Sequence, residues 1–293
     1  MKKSFFEPDD RPLTGDDLLW LYNHDKLVIV DYPVTNAISE QSVVSKSHIQ
    51  KLISARDTHY VDFINQSLDI ADHFASIEKE GDADELAPFW NNGWFPSLDG
   101  ISLATILKQK NPRRYIEVGS GNSTKFAAAA IASFGLRTEI ISIDPHPRAE
   151  IDNICKEIVR MPLENVDFDT EFGDITEDDV FLLDSSHRAY RNSDVTVFFV
   201  NILPNLKAGC VYGVHDIFLP GDYPLNFVNR YYNEQYMLQA YLLGGAAGDK
   251  ILFPAAYIAT NKWTFYKQLG ELWRRGKLDG LPVWGGAFWM TKG

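Results

Sequence analysis

Tyr115-Ile116-Glu117-Val118-Gly119-Ser120-Gly121-Asn122-Ser123-Thr124 opens on a short apolar run, turns through two glycines, and leads into an alanine-rich stretch ending at Phe134. Tyr115 to Val118 reads as a buried strand and Ser123 to Phe134 as a helix whose small residues let it sit close to a sheet. Gly119 and Gly121 allow positive φ and close approach of a ligand to the backbone. The helix that follows aims its first N–H groups at the same spot. The turn therefore marks a ligand site at the end of a strand, with a plain tight strand-to-helix turn as the alternative.

Outward from this stretch, the same alternation continues. Ser102 to Gln109 reads as a helix stopped by Asn111-Pro112, Glu139 to Ile143 as a strand and Arg148 to Glu157 as a helix. Val180 to Leu183 and Cys210 to Val214 are further strands, separated by a helix over about Asp194 to Leu203. Two late strands, Ile251 to Phe253 and Ala287 to Met290, accompany helices at Glu234 to Leu243 and Trp263 to Arg274. Strands alternating with helices specify a mostly parallel sheet covered on both faces, an α/β fold. The first 95 residues read differently. Lys26 to Val30 is a short strand candidate, and Ile49 to Ile77 carries one apolar stripe of a long helix or two abutting helices. Glu80-Gly81-Asp82-Ala83-Asp84-Glu85 is an acidic solvated loop.

The chain has 293 residues, 45% hydrophobic and 23% charged, which suits one large domain or one domain with an appendage. Its formal charge of −12 disfavours a nucleic-acid partner, because phosphates need cationic neutralisation. Only Cys155 and Cys210 are present, arguing against a disulfide framework. The basic start at Met1-Lys2-Lys3 is followed at once by Glu7, Pro8, Asp9 and Asp10, and no apolar segment approaches the roughly 20 residues that span a bilayer. The expected setting is the cytoplasm, with no membrane partner. The 7 Trp, 13 Tyr and 18 Phe suit a pocket for a flat or sugar-like ligand as well as a core.

In an open parallel sheet the ligand sits off the carboxyl ends of the strands. Those ends carry Glu117 and the glycine turn, Asp144-Pro145-His146, Asp184-Ser185-Ser186-His187, and His215-Asp216. Four polar, mostly acidic strand ends exceed what packing needs. A nicotinamide or flavin site would want a small residue where Thr124 stands, and Glu117 is unhelpful beside a pyrophosphate. Both residues instead favour S-adenosylmethionine, which has no phosphate and carries a cationic sulfonium and ammonium. Asp144 suits two ribose hydroxyls in either case.

These motifs, with Pro204-x-x-Lys207-x-Gly209 before His215-Asp216, resemble class I S-adenosylmethionine-dependent methyltransferases over about residues 91 to 293. The branch most similar is found among glycan and natural-product biosynthesis proteins, with an Asp-x-x-His at strand four. Ser123 replaces the family's usual third glycine. The resemblance implies a Rossmann-like, seven-stranded, mostly parallel sheet over residues 96–293, behind a mainly helical extension or cap over 1–95. It implies a donor site built from Glu117, Gly119, Ser120, Gly121, Asn122, Ser123, Asp144, Pro145 and Asp184, with Asp174 of Gly173-Asp174-Ile175 at the adenine. The product would be S-adenosylhomocysteine.

Some members of that branch hold a divalent metal at strands four and five. By position this implies Asp184, His215 and Asp216 as ligands, a set suited to Mn or Zn more than Mg, with His187 as general base beside Asp184. Asn91-Asn92-Gly93-Trp94-Phe95-Pro96 is expected to close over the donor or acceptor through Trp94, and Asp222 and Tyr223 to line the acceptor pocket. The expected reaction is O-methylation of a small-molecule or glycan hydroxyl. A nicotinamide-dependent oxidoreductase and a non-catalytic S-adenosylmethionine-binding protein are the rival readings. The N-terminal helix offers a surface for a homodimer.

Overall fold

The computed structural model describes residues 13–24, 27–28, 46–147, 149–167 and 173–293. Two compact units are present, Met1–Glu40 and Gln41–Gly293. In the first, helix α1 (Gly15–Asn23) starts from a reciprocal cap: Asp17 N–H donates to Thr14 Oγ1 at 3.3 Å and Thr14 N–H to Asp17 Oδ2 at 2.7 Å. Of the strand expected at Lys26 to Val30, only Leu27 and Val28 are described, and they form no strand.

The second unit holds a seven-stranded sheet. Its strands are β1 (Arg114–Val118), β2 (Glu139–Ile143), β3 (Glu157–Val159), β4 (Asp179–Leu183), β5 (Val211–Val214), β6 (Lys250–Pro254) and β7 (Phe288–Thr291), in the order β3-β2-β1-β4-β5-β7-β6. The first five are parallel, and β7 runs antiparallel to β5 and β6. Strand order reverses between β1 and β4, which opens a crevice at their carboxyl ends. The central strands read as continuous apolar runs because both faces are covered. Gly213 of β5 faces Trp289 of β7, and a Cβ there would come within 2.6 Å of the indole. Trp289 is fully buried, with its Nε1–H on Ser102 Oγ at 2.9 Å.

Among the described residues, the helix expected from Arg148 to Glu157 is not present. A single 3-10 turn, Asp152–Ile154, is followed by β3, whose three residues pair with Ile141, Ser142 and Ile143 of β2. Tertiary pairing outweighed local propensity at this edge. The stripe from Ile49 to Ile77 resolves into three helices, α2 (Lys46–Ser54), α3 (Asp57–Leu68) and α4 (Ala71–Ala75). They belong to the same compact unit as the sheet, Gln41–Gly293. Arg56 Nε donates to the Ile251 carbonyl of β6 at 2.7 Å, and Phe63 packs on Phe253 at 4.6 Å between ring centroids.

Helix α5 (Ser97–Lys110) ends on a left-handed Asn111 before Pro112, and α6 (Asn122–Phe134) on a left-handed Gly135. Helix Ala255–Thr260 had no sequence signal of its own, being six residues of which the first five are buried. Asp194–Val197 continues through Phe198–Ile202 and Leu203–Asn205 as one helical passage.

His73 on α4 is buried against Phe134, and neither ring nitrogen has a hydrogen-bond partner. Burial pushes its pKa down to about 4. The unfolded chain therefore takes up this proton first, and stability is lost as pH falls from the ordinary histidine value toward 4, by at most about 3 kcal/mol. His73→Phe should flatten that acid loss and leave the fold equal or up to about 2 kcal/mol more stable at pH 7. Thermal unfolding of both chains between pH 4 and 8 checks this. An unchanged slope in the variant would contradict it.

Candidate active site

The glycine turn is fixed from below. Gly119 has φ +82°, its N–H donates to Ile143 O at 3.1 Å, and its Cα lies against the Asp184 carbonyl. Gly121, expected in the left-handed region, is instead extended at φ 170°, with its N–H on Thr124 Oγ1 at 2.9 Å. Thr124 in turn donates to Glu117, which also accepts from Tyr115 OH at 2.6 Å. The residue that departs from the dinucleotide pattern thus ties the turn to the strand-end carboxylate. Burial raises the Glu117 pKa to about 7, against the pull of the Ser123, Thr124 and Tyr115 hydroxyls.

Asp144 closes the turn from β2. Its carboxylate accepts from Ser120 N–H at 2.8 Å and His146 N–H at 2.7 Å, and Ser120 and Ser142 hydroxyls meet at 2.7 Å. Pro145 follows at once, and Asn122 and Ser123 form the first turn of α6. Glu117 and Asp144 are two carboxylates beside one backbone cradle with no ion pair to any described cation. That environment suits a positively charged ligand.

Asp174 is not part of this site. Its carboxylate pairs with Arg113 Nη1 and Arg114 Nη2, both at 2.9 Å, beside Asp179 at the start of β4. That is the amino end of the strands, opposite the crevice. Arg113, just ahead of β1, and Arg114, its first residue, draw the loop there.

At the carboxyl ends of β4 and β5, Asp184, His187, His215 and Asp216 converge. His187 Nε2 is 3.4 Å from Asp184 Oδ1 and 3.6 Å from Asp216 Oδ2. His215 Nδ1 is 3.2 Å from Asp184 Oδ1 and 3.6 Å from Asp216 Oδ1. Each imidazole has a second carboxylate behind it. Glu234 accepts from His187 Nδ1, and Asp99 Oδ2 lies 2.9 Å from His215 Nε2. Asp99 is itself held by the N–H groups of Gly286 and Ala287. His187 and Asp216 have φ of +60° and +55°, the kind of local strain that clusters at functional sites.

Burial opposes charge on both histidines. For His187 it is outweighed by Glu234, Asp184 and Asp216, and for His215 by Asp184, Asp216 and Asp99, so both pKa values stand well above the ordinary one. Burial likewise opposes ionisation of Asp184, but His215 and His187 hold its carboxyl well below the usual range.

Asp184, His215 and Asp216, expected as metal ligands, are brought together as an ion-pair network. Among the described residues no group of three or more His, Cys, Asp or Glu side chains is arranged to hold a metal ion. Each imidazole sits between carboxylates on both ring nitrogens, which favours the doubly protonated ring, and that form has no lone pair for a cation. Chelation is therefore expected to change methyl transfer by less than about twofold, because the network already holds its own positive charge. Loss of activity with EDTA and its recovery with Mn²⁺ would contradict this.

A cavity of about 670 Å³ opens beside the network, and Asp216 is on its wall. Trp90, Trp94, Phe95, Phe218, Phe227 and Trp284 supply its aromatic side chains, and Arg230 also lines it. Phe95 stacks on His215 at 5.4 Å. Trp94 is also on the pocket wall. Asp222 and Tyr223 do not line this cavity. The Asp222 carboxylate accepts from Tyr236 OH at 2.6 Å and Gln235 Nε2 at 3.2 Å, and Tyr223 OH accepts from Gln235 N–H at 3.1 Å. They brace the wall from behind, with Tyr223 edge-on to Phe218 at 5.8 Å. Asp99, Glu234 and Arg230 were missed in the sequence because none follows a strand. The one available signal was Asp99, the single charged residue of α5 ahead of Lys108.

Residues 116–217, a segment that runs from β1 to just past Asp216, match a family model described as a methyltransferase domain. No curated protein matches the chain. Solved structures similar to it include a methyltransferase of Podospora anserina, PaMTH1, bound to S-adenosylhomocysteine, at 13% identity over 89% of this chain and 100% of that one, TM-score 0.42. Another is a Bacillus cereus O-methyltransferase, also in complex with S-adenosylhomocysteine, at 12% identity over 78% of this chain and 89% of that one, TM-score 0.40. A third is MycE of the mycinamycin biosynthetic pathway, at 16% identity over 64% of this chain, TM-score 0.36. The matched region spans about half (47%) of MycE. Among the described residues no helix is long and apolar enough to cross a membrane.

Proposed function

We propose that the chain transfers the methyl group of S-adenosylmethionine to a hydroxyl of a small-molecule acceptor. The observation that carries this reading is the methyltransferase-domain segment, residues 116–217, which contains Glu117, the glycine turn, Asp144, Asp184, His187, His215 and Asp216. Bound, the donor supplies an electrophilic methyl carbon on a cationic sulfur and leaves as S-adenosylhomocysteine. Asn122 and Ser123 at the start of α6 would offer backbone N–H groups to its amino-acid end. Gly119, Ser120 and Gly121, whose N–H groups are bonded within the protein, would let the backbone approach it closely. Glu117 would balance its charge, and Asp144 with Pro145 would hold the ribose side. Asp184 stands between donor and acceptor sides.

The acceptor enters the aromatic cavity and places its hydroxyl on Asp216. Where its ring is neutral, His187 Nε2, 3.6 Å behind Asp216 Oδ2, takes the proton by way of the Asp216 carboxylate as the oxygen forms its bond to carbon, with Glu234 steadying the resulting imidazolium. Most of the acceleration comes from holding an already activated donor and the hydroxyl in line. The apolar lining favours a small molecule over a long glycan, and the −12 charge weighs against nucleic acid. Two unpaired cysteines suit a cytoplasmic setting. The test is label transfer from methyl-labelled S-adenosylmethionine across a panel of hydroxyl acceptors. Transfer that requires the hydroxyl supports the reading. Transfer only to amines would overturn the O-methylation part.

A further inference from the structure

The cavity beside Asp216 has an uneven chemistry. Among the described residues its lining includes six aromatic side chains, and its charged members are Asp216 and Arg230. Phe218 and Trp284 stack at 5.8 Å and 27°, giving a flat wall. The Arg230 guanidinium lies over Phe227 at 4.4 Å and near Tyr232 at 5.6 Å, with Nη1 donating to Tyr232 OH at 3.3 Å. Stacking fixes its plane but leaves donor positions unused, and no described carboxylate lies within ion-pair distance of it. Arg230 is exposed where it lines the cavity, and on a chain of net charge −12 an arginine there with no acidic partner among the described residues is available to an anion of the ligand.

We propose that the acceptor is a flat aromatic hydroxy compound bearing a carboxylate, and that Arg230 binds the carboxylate while Asp216 meets the hydroxyl. This rests on the methyltransferase reading above. The flat wall of Phe218 and Trp284 takes the ring, and the guanidinium fork selects the planar anion over its neutral ester.

The probes are 6-hydroxy-2-naphthoate and its methyl ester, titrated calorimetrically into the full chain saturated with S-adenosylhomocysteine. The acid is expected to bind at least about tenfold more tightly than the ester, and Arg230→Gln to shrink that gap below about twofold while leaving the ester unaffected. Arg230→Lys should keep part of the preference, since charge remains without the fork. Equal affinity of acid and ester, a gap that survives in Arg230→Gln, or binding of neither probe would overturn the proposal. S-adenosylhomocysteine titrated alone separates the two levels: its failure to bind would sink the methyltransferase reading itself.

Discussion

Replacing Gly119 with alanine is expected to have the largest effect of any single methyl added to this chain. The new Cβ would lie 1.7 Å from the Asp184 carbonyl oxygen and 2.7 Å from its carbon, both backbone atoms that no rotamer change can move. Gly119 also has φ +82°, where an L side chain adds strain of about 1–2 kcal/mol. Relief requires β1 and β4 to part where Asp184 N–H donates to Val118 O at 2.8 Å. We expect a thermal midpoint lowered by about 10 °C or more, at roughly 2–4 °C per kcal/mol for a domain of this size. The surviving folded fraction should bind S-adenosylhomocysteine about 100-fold more weakly, because the turn and the Asp184 loop shift together. Thermal scans and calorimetry on the purified variant check both. Wild-type stability and affinity would contradict the placement of the turn against β4.

The second large effect is at His187. Asparagine tolerates its φ of +60° better than other residues, so His187→Asn removes the imidazole with little backbone penalty. Methyl transfer should fall about 100- to 10,000-fold, the range for loss of a general base, with S-adenosylhomocysteine affinity unchanged. Glu234→Gln makes the comparison sharper. The Glu234 carboxylate helps hold the His187 pKa well above 6.5 against burial. Since the base must be neutral to accept a proton, kcat/KM should rise with pH along a limb above the ordinary histidine range. Removing the carboxylate should move that limb toward lower pH. A structural role for Glu234 would lower activity without moving the limb, and an unmoved limb would contradict the assignment.

The donor side was legible in the sequence because its determinants are local. Glu117, the glycine turn and Thr124 follow one strand within eight residues, and Asp144 ends the next, so a strand-end search reaches them directly. Gly121 shows the limit of that search, since composition alone does not say which glycine adopts positive φ. The acceptor side depends on chain segments far apart. Asp99 reaches His215 across 116 residues and Glu234 reaches His187 across 47, each from a helix whose own pattern says nothing of a site. Asp174 was misplaced because loop position along the chain does not say at which end of the sheet the loop lies, and Arg113 and Arg114 decided that. Asp222 and Tyr223 are close to Asp216 in sequence, yet Tyr236 and Gln235 turn their polar groups away from the cavity. The edge strand β3 has only three residues, too few for any period to be read.

The central claim is that the crevice between β1 and β4 binds a cationic methyl donor and not a dinucleotide. Calorimetric titration of the full chain with S-adenosylmethionine, S-adenosylhomocysteine and NADH tests it most directly. Micromolar binding of the first two, lost in Asp144→Ala, with no heat from NADH, is the predicted result. Tight NADH binding with no response to S-adenosylmethionine would contradict the account and return the glycine turn to the oxidoreductases.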